Sequence, residues 1–146
     1  MSTAQSYPLV DQMIPDFRLE SLDGREFRMA NFRGHRNLVL VFTAGATLPL
    51  VAELASRTEE LEQENARVFL IAAARSERLE AANAAGFPVL LDADRKVSRR
   101  FGAENAPALY VTDQYGEIYS AHHGARLPSA DEVLSSLRHI SAACPE

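Results

Sequence analysis

The chain carries a single cysteine, Cys144, among its 146 residues. One cysteine excludes an intrachain disulfide and any metal site built on several thiolates. Clustered basic charge is also missing: the net charge is −5 and the pI about 5.4. Phosphate backbones are bound by grouped Lys and Arg, so nucleic acid is not an expected partner. The densest basic run, Arg95, Lys96, Arg99 and Arg100, follows Asp92 and Asp94 and reads as a solvated helix face. No apolar run approaches the roughly 18 residues of a membrane helix, so no membrane partner is expected. The start, MSTAQSYPLVDQM, lacks a basic stretch followed by an apolar one, so no signal peptide is read and a cytoplasmic location is expected. Internal repeats, linkers and low-complexity segments are absent too.

What remains is ordinary globular composition, 47% hydrophobic and 24% charged, in a chain long enough for one core. Residues 1–13 read as a tail or loose lead-in, and residues 14–143 as one domain. Asp23-Gly24 signals a hairpin between Phe17–Leu22 and Glu26–Met29. Asn37–Thr43 is apolar on consecutive positions and reads as a strand covered on both faces. From Leu48 to Asn65, Leu50, Val51, Leu54, Thr58 and Leu61 follow helical spacing, predicting one helix. Arg67–Ala73 reads as a second buried strand, and Ser76–Ala85 as a helix stopped by Gly86. Phe87–Leu91 reads as a short extended piece and Arg95–Phe101 as a short helix ending at Gly102. Ala108–Thr112 and Glu117–His122 read as an antiparallel pair around the turn Asp113–Gly116. Ser129–Ile140 closes the chain as a helix, with Ser129 and Glu132 spaced as a capping box. Long helical crossovers imply parallel strands first, and the hairpin adds antiparallel ones. The expected fold is α/β, a central mixed β-sheet flanked by helices on both faces.

Several local phrases in this order resemble the thioredoxin superfamily, and within it the redoxins, including peroxiredoxins of the alkyl hydroperoxide reductase/thiol-specific antioxidant type. IPDFRLESLDGREFRMANFRG (residues 14–34) is similar to the family's "PDF-x-L" opening with its following "F-R-G". NLVLVF is similar to its first core strand, and FPVLLDADRKVSRRFG (residues 87–102) to its "FP-x-L-x-D" phrase and short helix. Ala106-Pro107 followed by ALYVTDQYGEI resembles its proline, strand and "D-x-x-G-x-I" turn. The resemblance implies a thioredoxin-like fold, a reactive site where VFTAGATLPLVAEL turns from strand to helix, and no cofactor.

That site is where the pattern breaks. Laid on the redoxin "C-x-P-C", Thr47 and Leu50 occupy the two cysteine positions, while Pro49 and Glu53 match. Laid on the peroxiredoxin "T-x-x-C", Thr47 is kept and Leu50 again replaces sulfur. The family's reaction needs a thiolate, which a helix N-terminus helps to form. Leucine cannot ionise, and a threonine hydroxyl needs an adjacent base. Thr47 therefore reads as a helix N-cap, and Glu53, with Arg57 four residues on, as helix stabilisation. The resemblance makes Ala46, Thr47, Leu48, Ala106 and Pro107 the candidate binding groove. The family's matching proline usually follows a cis peptide, and the isomer here is left open. His122 and His123 are adjacent on a strand and point to opposite faces, while His35 and His139 complete no ligand spacing, so no metal is expected. The reading is a redox-inactive, non-enzymatic family member acting through an unknown protein or peptide partner or by assembly, with a homodimer as the family-derived default. A binding module for a small ligand in the old pocket is not separable from it. The alternative is an antioxidant thiol peroxidase or disulfide oxidoreductase working through Cys144.

Overall fold

The computed structural model describes residues 8–43, 48–124 and 126–143. Seven strands form one sheet in the order β2-β1-β5-β4-β3-β6-β7. They are β1 (Arg18–Ser21), β2 (Glu26–Arg28), β3 (Asn37–Phe42), β4 (Ala66–Ala72), β5 (Val89–Leu91), β6 (Ala108–Thr112) and β7 (Ile118–His123). Strands β3, β4 and β5 pair in parallel, and every other pairing is antiparallel. The mixed sheet follows from the connections. Helices α1 (Leu48–Ala55), α2 (Thr58–Gln63) and α3 (Glu77–Ala84) lie in the long crossovers, whereas Asp113–Gly116 is a tight turn closed by a Gly116 N–H to Asp113 carbonyl bond of 3.1 Å. At the other hairpin, Gly24 takes the positive φ of 86° that its turn requires.

All six residues of β3 are buried, as a run apolar on consecutive positions implies. Alternation divides the core into two clusters. Val39, Val41, Val68, Leu70, Leu109 and Val111 face an aliphatic layer with Leu54, Leu61, Leu79, Val133, Leu134 and Leu137 from α1, α2, α3 and α5 (Ala130–Ala143). Leu40, Phe42, Phe69, Ile71 and Tyr110 face a second, aromatic layer with Ile14, Phe17, Met29, Val97 and Phe101. The helices are thus shared unequally. Four cover one face, and α4 (Lys96–Arg100), the 3-10 turn Met29–Phe32 and the lead-in to β1 cover the other.

Two expectations shift. The helix expected over residues 48–65 is two helices. The Ser56 hydroxyl bonds back to the Glu53 carbonyl at 2.7 Å, and the Arg57 N–H bonds to the Leu54 carbonyl, so the last turn tightens. Arg57 then leaves helical geometry at φ −122°, ψ 28°. The lead-in is fastened where it reaches the sheet: the Asp11 N–H bonds to the Ile118 carbonyl, the Ile118 N–H to the Gln12 carbonyl, and Met13 bridges Glu117. The capping box on α5 has both of its bonds, Ser129 N–H to Glu132 Oε1 at 2.9 Å and Glu132 N–H to Ser129 Oγ at 3.2 Å.

Candidate functional site

The register of β3 defines the place. Phe42 lies opposite Ile71 of β4 on one side and Ala108 of β6 on the other. Thr43 extends the parallel ladder by one residue, its N–H reaching the Ile71 carbonyl at 2.9 Å and its hydroxyl the same carbonyl at 3.2 Å. Residues 44–47 follow, and α1 begins at Leu48. Pro107 immediately precedes Ala108, so the chain at Ala106–Pro107 adjoins the end of β3. The Pro107 carbonyl accepts the Gly124 N–H at 2.9 Å, which extends the β6–β7 ladder to the same end of the sheet. Among the described residues no peptide bond is cis, so Pro107 follows a trans peptide, unlike the usual family proline.

Of the expected site residues, Ala46, Thr47 and Cys144 lie outside the described residues. Leu48 opens α1, and Ala106 and Pro107 are half-buried. Leu50 is 8% exposed and belongs to the aliphatic cluster. Position 50 is thus a packing position in this chain. Glu53 does not pair with Arg57. Its Oε1 accepts the Ala130 N–H at 3.3 Å and so caps the start of α5, while Arg57 joins Asp131 and Glu60. That carboxylate serves the join between α1 and α5.

Sequence reasoning missed a group on the aromatic face of the sheet. Phe42, Phe101, Tyr110 and His123 form a ring-to-ring series with centroid separations of 4.9, 5.1 and 5.4 Å. The fully buried Tyr110 donates its hydroxyl to the Phe101 carbonyl at 2.7 Å, and His123 Nε2 lies 2.9 Å from both oxygens. Tyr110 sits in an apolar strand and reads as plain core, so only the tertiary contact identifies the group. His122 takes the opposite face, as alternation requires, and burial pushes its pKa below 6.5, more than the Glu132 carboxylate restores. Among the described residues no three His, Cys, Asp or Glu side chains form a metal-binding group.

The end of α5 lies by the start of β3. Its Ser141 hydroxyl bonds to Glu64 Oε1 at 3.0 Å, and the Glu64 carbonyl accepts from Asn37, the first residue of β3. Strand β3 spans roughly 17–20 Å, with the last turn of α5 near its first residue and α1 following in sequence after its last.

The model of the AhpC/TSA family matches residues 10–121. The chain belongs to the AhpC/TSA family. No curated protein matches the chain. Among solved structures, it is similar to peroxidoxin BcpB from Mycobacterium tuberculosis, at 17% identity over 90% of this chain and 97% of that one, with a TM-score of 0.77. The 2-Cys peroxiredoxin of Plasmodium vivax gives 18% identity over 92% and 97%, TM-score 0.77. Mycobacterium tuberculosis AhpC gives 16% over 95% and 97%, TM-score 0.74. At such identities the likeness establishes the fold, which is the thioredoxin-like fold of peroxiredoxins. Among the described residues no helix is long and apolar enough to cross a membrane.

Proposed function

We propose that this AhpC/TSA family member has lost the family's thiol site, does not turn over peroxide or disulfides, and acts through binding or assembly. The observation that carries this reading is Leu50, an aliphatic core residue where the aligned family pattern has sulfur. The chain's one cysteine, Cys144, supports it further. It follows a helix whose last turn is fastened to Glu64 at the end of the sheet away from α1. The candidate groove lies at the β3–α1 turn beside Ala106 and Pro107, and its occupant would be a protein or peptide segment. A homodimer is the default assembly, checked by sedimentation equilibrium.

The test is a peroxidase and insulin-reduction assay on the wild-type chain, Cys144→Ser and Thr47→Cys/Leu50→Cys. The wild-type chain and Cys144→Ser are expected to match free thiol or fall below it. Wild-type turnover well above free thiol, abolished by Cys144→Ser, would replace this proposal with the peroxidase reading. Turnover only in the double variant indicates a scaffold preserved and disarmed, and none in any variant indicates a pocket rebuilt around the leucine.

A further inference from the structure

On the face of the sheet that carries α5, a cleft of about 520 Å³ runs between β7, the connecting segment Arg126–Pro128 and the first turns of α5. None of its lining residues belongs to β3 or α1. Its strand wall exists because the β6–β7 register shifts between Val111 and Thr112. Thr112 faces Ile118 and Val111 faces Ser120, so Tyr119 is the extra residue of a bulge. The bulge turns Ser120 and His122 toward α5 while Ile118 remains in the aromatic layer.

The cleft combines one buried, unpartnered hydroxyl with two exposed charges of opposite sign that form no ion pair among the described residues. The Ser120 hydroxyl is buried and, among the described residues, has no hydrogen-bond partner. It is the one described buried side-chain polar atom of which this is true, and such a group costs about 1–3 kcal/mol when left unsatisfied. Arg126 and Glu132 both line the cleft, yet neither forms an ion pair with the other or with any other described residue. One carboxylate oxygen of Glu132 accepts the Ser129 N–H, and its second oxygen accepts from no described residue. Ser136 adds a second hydroxyl one turn further along α5, and the burial that disfavours the His122 cation keeps that ring a neutral hydrogen-bonding partner.

A cleft offering a guanidinium and a carboxylate that do not meet, around a buried hydroxyl, is complementary to a molecule carrying both charges. We propose that the cleft binds a small zwitterion of the amino-acid or short-peptide class, its carboxylate on Arg126, its ammonium on Glu132, and a polar atom on Ser120. A simple anion would leave Glu132 facing like charge, and a simple cation would leave Arg126 so. Arginine suits the carboxylate end because its planar fork bonds carboxylates through two N–H groups.

The test is a titration of the full-length, isotope-labelled chain with glycylglycine, followed by amide NMR shifts. N-acetylglycine, which lacks the cation, and glycinamide, which lacks the anion, are titrated in parallel. Saturable shifts centred on Ser120, His122 and Ser136 are expected with glycylglycine, with each control at least about tenfold weaker. Arg126→Gln and Glu132→Gln should each weaken binding by about tenfold. The second keeps the capping box, which glutamine also forms. Ser120→Ala should weaken binding while leaving the melting temperature unchanged or raised, since the hydroxyl it removes is unsatisfied in the free protein. Equal binding of either control, shifts elsewhere on the surface, or no saturable shift with glycylglycine would overturn the assignment.

Discussion

At the scale of single residues, two buried or half-buried polar groups hold pieces of this chain that hydrophobic contact alone would leave loosely oriented. Tyr110 is fully buried between Phe42, Phe101 and His123, and its hydroxyl reaches the Phe101 carbonyl. Tyr110→Phe keeps the ring packing but removes a buried donor. It should cost about 1–3 kcal/mol in urea unfolding, because the Phe101 carbonyl and His123 lose a partner inside the core. Asp16 ties the lead-in to the 3-10 turn by accepting the Ala30 N–H at 2.9 Å and the Arg28 guanidinium at 2.8 Å. Burial is the largest single influence on this carboxyl and would raise its pKa. The Arg28 and Ala30 hydrogen bonds, with the charges of Arg28 and Arg33, outweigh it and hold the pKa below 3.8. A carboxylate with a depressed folded pKa contributes stability above its unfolded value, and loses it as pH falls through the folded one. Asp16→Asn should therefore cost about 1 kcal/mol at neutral pH, and its deficit should shrink as the pH drops below about 4. A deficit constant from neutral to acid would show that Asp16 acts without its charge.

Among the elements, α4 is the one least able to stand alone. Five residues are too few to hold a helix by propensity. It forms because the buried Asp92 accepts the Val97 N–H at 3.3 Å and the Ser98 N–H at 2.6 Å, and because Val97 and Phe101 anchor its inner side. Asp92→Ala should destabilise the protein by about 1–2 kcal/mol, read by urea denaturation, with the largest rise in amide exchange over residues 96–102. The same reasoning explains which elements the sequence revealed. Alternation and apolar runs placed β3, β4, β6 and β7 within about a residue of their ends, and Asp23-Gly24 marked the first hairpin. The break between α1 and α2 was not legible. No glycine or proline marks it, and its causes, the Ser56 back-bond and the docking of Arg57 on Asp131, are a local competition and a contact 74 residues away. The β7 bulge was equally hidden, since nothing in EIYSAH distinguishes Tyr119 as an extra residue, yet that bulge decides which side chains line the cleft beside α5.

Over the whole molecule, the family fold is kept, and the proposed function turns on a core leucine, Leu50, at the start of α1. The strand before residue 43 and the helix after residue 47 were legible from pattern alone. Leu50 was legible as part of the apolar stripe of the helix, but which strands and helices cover it was not, because they are distant in sequence. A cysteine at position 50 would feel two opposed effects. The first turn of α1 is the positive end of the helix dipole, which favours the thiolate by about 0.3–1 kcal/mol. Burial among aliphatic side chains disfavours it and can shift a fully buried group by several pKa units. With only 8% of Leu50 exposed, burial should win. In Leu50→Cys/Cys144→Ser, the rate of iodoacetamide alkylation should rise with a pKa above the ordinary thiol value of about 8.5, and at neutral pH should fall below that of a free thiol. The same substitution removes aliphatic volume from the core, so unfolding should become easier by about 1–3 kcal/mol. Fast alkylation with a depressed pKa would mean that the start of α1 still presents a thiol-activating pocket, and that the leucine alone silences it. Slow alkylation with an elevated pKa would mean that the core has closed over the position, so that restoring sulfur would not restore the reaction.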